Sequence, residues 1–113
     1  MRTKQPVSVF GRRLREARER IGLPQDRLGV TVGLDEGSAS ARISRYETGI
    51  HEPPFETAER LAKILKVPTA FLYCSDDDLA QLILFWGRLS KAEKRRFRAS
   101  IESDIEIFTT TER

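Results

Sequence analysis

Residues 25–49 read QDRLGVTVGL, then DEGSASAR, then ISRYETG, and the fold turns on how this stretch divides. Leu28 and Val32 stand four apart, on one face of a short helix, and Gly33 is a stop signal at its end. The small Gly29 between them leaves room for another helix to approach closely. Asp35-Glu36-Gly37 is a turn signal. Beyond it, Ala39, Ile43 and Tyr46 recur at helical spacing, with Gly49 as the stop. Ser38 or Ser40 is expected to cap this second helix. Its outer face is polar and carries arginine. The stretch therefore reads as two short helices joined by a turn.

The same periodicity extends both ways. Phe10, Leu14, Ala17 and Ile21 predict one buried face of a preceding helix, stopped at Gly22, and Pro24 suits the start of the next. Pro53-Pro54 forces an extended link. Phe55, Ala58, Leu61, Ala62, Ile64 and Leu65 then mark a fourth helix, and residues 68–73 a short fifth. No segment alternates β-branched residues with period two, so the expected class is all-α. A sixth helix carries Leu79, Leu82, Ile83 and Trp86 on one stripe, but Leu84 and Phe85 make it apolar nearly all round. A seventh opens on Ser90 with Glu93 three residues on, a capping box, and its stripe is Phe97, Ile101, Ile105 and Phe108. A helix apolar on two faces must bury both. One face is expected against the chain's own helices and the other against a second subunit. That makes Leu82, Leu84, Phe85, Trp86, Phe97 and Ile101 candidate dimerisation residues, the alternative being a fully internal helix.

A chain of 113 residues holds one domain plus a short appendage. No apolar run approaches the roughly 18–20 residues that span a bilayer, and no apolar segment follows the amino-terminal charges as in a signal peptide. The single cysteine, Cys74, cannot form an internal disulfide, which fits a cytoplasmic location. Net charge is only +3, but residues 1–21 hold seven Arg or Lys against two Glu, a local +5. That is either a solvated helix face or one face turned toward a polyanion.

Residues 10–73 resemble the Cro/C1 (XRE) helix-turn-helix family, the phage-repressor-like domain of five helices. The resemblance is carried by Leu14 and Arg18, Gly22-Leu23, Gln25, Leu28 and Gly33. It continues through Ile43-Ser44-Arg45-Tyr46-Glu47-Thr48-Gly49, Pro54 and residues 62–67. It implies a lambda-repressor-like domain over residues 8–74, and the two apolar helices read above make 75–113 a C-terminal extension expected to dimerise. Residues 1–7, with Arg2 and Lys4, would be a flexible basic arm. It also implies double-stranded DNA as the partner; with no His/Cys cluster at metal spacing, neither a metal nor a cofactor is expected.

Residues matching the family's base-reading positions are Ser40 and Ala41, with Arg45 about one turn on. Arg45 can meet guanine O6 and N7 bidentately, and the Ala41 methyl can meet a thymine methyl. Gln25 at a helix start, Ser38, Arg42, Ser44, Thr48 and His51 are the candidates for the sugar–phosphate backbone. In the family, the residues matching Arg18 and Glu47 pair and tie the first helix to the end of the third. One departure stands out. Eight residues separate Leu34 from Ile43 where the family usually has four, so this segment either lengthens the turn or adds a turn to the third helix.

Two functions from different classes fit. The first is a sequence-specific transcriptional regulator, a homodimeric repressor reading the major groove. The second is an antitoxin or adaptor-type protein whose main partner is another protein held by the C-terminal helices. An enzyme is not expected. One His and one Cys far apart offer no nucleophile–base pair, and there is no glycine-rich phosphate loop.

Overall fold

The computed structural model describes residues 8–111. It is built of helices α1 (Val9–Arg20), α2 (Gln25–Thr31), α3 (Ala39–Glu47) and α4 (Phe55–Leu65), a 3₁₀ segment (Thr69–Tyr73), then α5 (Asp77–Gly87) and α6 (Lys91–Thr111). No strand occurs among the described residues. The basic arm expected over residues 1–7, with Arg2 and Lys4, lies outside them.

Each boundary has a local cause. Ser8 caps α1 by accepting from the Gly11 N–H at 2.9 Å. Pro24 precedes α2 with extended ψ and no side-chain cap. Gly22, Gly33 and Gly49 all sit at positive φ, the left-handed conformation that ends helices. Lys66 ends α4 in the same region, at φ 60°, without glycine's freedom.

Leu14, Leu28, Ile43, Leu61, Leu65 and Leu72 are fully buried and join Phe10, Tyr46 and Phe71 in one core. At about 1.5–3 kcal/mol per large apolar side chain, this cluster is the main stabilising term of the domain. Two expected core residues are not in it. Ile21 is 43% exposed, because α1 ends one residue earlier and nothing covers its C-cap. Phe55, the first residue of α4, lies on the rim and stacks on Tyr73 with ring centroids 6.4 Å apart.

In exchange, α1 buries an arginine. Arg13 is 3% exposed and donates to the carbonyl oxygen of Cys74 at 2.7 Å, to Ser75 O, to Glu16 and to Asp77. Burial opposes its charge, but the hydrogen bonds it donates to Glu16 and Asp77 outweigh that and raise its pKa. Together with Arg12, it ties the start of α5 to α1. Asp76 caps α5 by accepting from the Leu79 N–H. Ala80, Ile83 and Leu84 turn that helix's inner face onto the core. The other face, with Leu79, Leu82 and Phe85, is about half exposed. Leu84, expected at a dimer contact, therefore belongs to the inner face.

Ser90 and Glu93 form the reciprocal capping box at the start of α6: Ser90 Oγ accepts from the Glu93 N–H, and Glu93 Oε1 from the Ser90 N–H. The Ser90 backbone N–H first, and the Ser90 hydroxyl next, hold the Glu93 carboxylate below its ordinary range. Apart from Lys94, every residue of α6 from Lys91 to Thr109 is exposed.

Candidate nucleic-acid interface

Helices α2 and α3 are held at very close range. A Cβ added at Gly29 would lie 2.6 Å from the Ala39 Cβ and 2.9 Å from the Ala39 carbonyl oxygen, so only glycine admits this approach. Ala39, Ile43 and Tyr46 then point inward, which leaves Ser40, Ala41, Arg42 and Arg45 exposed on the outer face. The eight residues before Ile43 divide in two. Residues 35–38 form a turn closed by the Ser38 N–H to the Asp35 carbonyl at 3.0 Å, and helix begins at Ala39. The extra residues thus lengthen the turn. Ser38 occupies the N-cap position, but its hydroxyl bonds Asp35 O instead of capping, and Ser40 lies inside the helix.

The rear of α3 is fixed by a buried carboxylate. Glu47, 0% exposed, accepts from Arg18 Nε at 2.5 Å and Nη2 at 3.1 Å, from Arg15 Nε at 3.4 Å and from Gln25 Nε2 at 3.0 Å. Arg18 also donates to Leu23 O. The hydrogen bonds to Glu47 hold the Arg18 guanidinium above its ordinary pKa against partial burial. Gly11 lets α1 approach this end of α3: a Cβ there would overlap the Glu47 carbonyl oxygen and stand 2.8 Å from Tyr46 O. No buried side-chain nitrogen or oxygen among the described residues lacks a partner. Arg15 and Gln25 as Glu47 partners were missed from sequence. For Arg15 the signal was present, since it lies three residues before Arg18 on the same helix face.

Two residues expected at phosphates have their side chains engaged within the domain. Thr48 is buried at the C-cap of α3, and its hydroxyl donates to the Ser44 carbonyl at 2.9 Å. The Gln25 side chain turns inward, donating to Glu47 while its oxygen accepts from Ser40 Oγ at 3.4 Å. Ser40 is thereby linked through Gln25 to the buried carboxylate. Ser44 is half-buried beside the exposed face. Ser38, Arg42, Arg45 and His51 come together around an open hollow of about 410 Å³, also lined by Tyr46, Glu52 and Pro54. Two guanidiniums on the exposed helix face, with the His51 imidazole beside them and the Glu52 carboxylate at the rim, suit phosphate and guanine edges alike.

Among the described residues no group of three or more His, Cys, Asp or Glu could hold a metal ion. No described helix is long and apolar enough to cross a membrane.

Residues 9–71 match the family described as a helix-turn-helix domain. Among solved structures, the transcriptional regulator BswR is similar at 47% identity with a TM-score of 0.77, over 82% of this chain and 92% of that one. No curated protein matches the chain.

Proposed function

Because the chain belongs to the helix-turn-helix domain family, a family of DNA-binding regulators, we propose that it is a homodimeric repressor that reads the major groove with α3. The observation that carries this reading is the division of α3 into two faces. Ala39, Ile43, Tyr46 and Glu47 are buried, while Ser40, Ala41 and Arg45 are presented from a backbone braced at both ends. Bracing matters because a bidentate arginine–guanine contact needs its helix at a fixed depth and angle.

In this reading Arg45, Ala41 and Ser40 face base edges, and Arg42, Ser44, Ser38 and His51 follow the phosphates. Gln25 contributes through its backbone N–H at the uncapped start of α2, since its side chain is engaged with Glu47. Residues 75–113 pair two such domains so that two α3 helices address a two-fold site. Repression is the direct consequence of occupancy: a bound dimer excludes other proteins from the DNA that it covers, by binding alone and without catalysis.

Selection of bound sequences from random DNA, followed by titration at two salt concentrations, tests the reading. Arg45→Ala should lower affinity by about 1–3 kcal/mol and relax preference at one base pair. Arg42→Ala should weaken all sequences alike and reduce the salt slope by about 1. Full affinity with unchanged preference for Arg45→Ala would remove the role assigned to it.

A further inference from the structure

The C-terminal part of the chain carries two apolar features, one after the other along α6. The first is a groove of about 440 Å³ between α5 and the first half of α6, lined by Pro68, Leu79, Leu82, Trp86, Phe97 and Ile101 among others. Trp86 and Phe97 meet edge to face across it, at 6.3 Å between centroids. The second is the far half of the α6 stripe, Ile105 and Phe108, which are 56% and 65% exposed. A helix of this length runs about 32 Å, so the far half stands well beyond the groove of its own chain.

Charge along α6 is split the same way. Residues 91–98 hold Lys91, Lys94, Arg95, Arg96 and Arg98 against Glu93, whereas residues 99–109 hold Glu102, Asp104 and Glu106 with no basic residue. The helix is basic at its start and acidic toward its end.

We propose that the occupant of the groove is a second copy of this chain, with the two α6 helices packed antiparallel about a two-fold axis near Ile101. This deepens the homodimer reading above and rests on it. With the axis at Ile101, the partner's Ile105 comes opposite Phe97, and the partner's Phe108 comes opposite Lys94, which itself lies over the Trp86 ring at 5.4 Å. Each far half-stripe then enters the groove of the other chain, and the interface is isologous, as a closed two-fold dimer requires. The same crossing sets the basic half of each helix beside the acidic half of the other. Arg98, which reaches Glu102 of its own helix at only 3.7 Å, comes within reach of the partner's Glu102. A parallel pairing does the reverse: it sets like charge against like and leaves both grooves empty.

The test is disulfide trapping in the full chain after subunit exchange under reducing conditions, with the native protein as blank because Cys74 is buried. Ile101→Cys alone should cross-link to itself. Phe108→Cys alone should not, but mixed with Lys94→Cys chains it should give the mixed disulfide dimer. Self-linking of Phe108→Cys without the mixed product overturns the antiparallel arrangement and leaves the homodimer reading intact. A native protein that stays monomeric by light scattering at tens of micromolar overturns both, and assigns the face to a different protein. Ile105→Asp and Phe108→Asp give a second readout. Both positions are exposed in the single chain, so helicity should persist while dimer dissociation rises about 30-fold for each change. Unchanged association in both variants overturns the proposal.

Discussion

Residues 8–74 and the helix α6 are both built of amphipathic helix with large apolar side chains, yet they treat those side chains oppositely. In the first, six large aliphatic residues are fully buried and every buried polar side-chain atom has a partner. In the second, Phe97, Ile101, Ile105 and Phe108 are each at least two-fifths exposed. The first region is internally complete, and its stability is a property of one chain. The second leaves its apolar stripe uncovered in the single chain, and in the proposed dimer its stability would depend on concentration. A regulator needs both. On the proposed reading, one region holds α3 rigid before DNA arrives and the other keeps its apolar surface for a second subunit.

The sharpest way to break this contrast is to attack the brace inside the first region. Arg18→Ala leaves Glu47 buried with only Arg15 and Gln25 as side-chain donors, at 3.4 and 3.0 Å. Removing one partner of a buried pair typically costs about 3–5 kcal/mol. Chemical denaturation should show a loss of that size, independent of protein concentration. A loss below about 1 kcal/mol would place this pair with ordinary surface ion pairs and undo the claim that α3 is braced from behind.

A smaller effect is expected at the α2–α3 contact. Gly29→Ala puts a methyl 2.6 Å from the Ala39 Cβ and 2.9 Å from its carbonyl oxygen, so the two helices must separate. Overpacking of this kind costs about 1–3 kcal/mol. Adding Ala39→Gly removes the nearer clash but not the backbone one, so it should restore only part of the stability. DNA affinity should follow the displacement of α3, and dimer association should not change. If association fell with it, the two regions would be one cooperative unit.

Much of this was legible in the sequence, and the exceptions have a common cause. Periodicity of apolar residues located every helix and the inward face of α3, and Gly29 announced the close contact that it makes with Ala39. Ile21 and Phe55 were misplaced because they sit at helix ends, where spacing fixes a direction but not what lies in that direction. Arg13 escaped notice because a buried guanidinium depends on carbonyls of Cys74 and Ser75 some sixty residues away. Thr48 and Gln25 looked available for phosphate because their polar groups were counted without the neighbours that occupy them. Residues 35–42 were ambiguous on arithmetic alone. Four extra residues are close to one helical turn of 3.6, so an added turn keeps Ala39 on the face of Ile43, and either solution leaves Arg45 in register.

The seam between the regions gives the smallest effect, and its pH dependence has a definite sign. Asp77 at the start of α5 accepts from Arg12 Nη1 at 3.0 Å and Arg13 Nη2 at 2.9 Å. The Arg12 hydrogen bond first, and the Arg13 bond next, hold its pKa below the ordinary aspartate range. A carboxylate lowered in the folded state contributes stability that is fully present above its unfolded pKa. That contribution fades as pH falls through the lower, folded value. Acidification should therefore loosen the α1–α5 seam only below the usual aspartate range, and fluorescence of the lone Trp86 should report it. Asp77→Asn should lose that part of the acid transition and sit slightly below the native protein at neutral pH. The deficit stays small because Arg13 retains Cys74 O, Ser75 O and Glu16. A neutral-pH loss as large as that of Arg18→Ala would mean that the seam is as integral as the brace around Glu47, and the boundary between the two regions would have to move past α5.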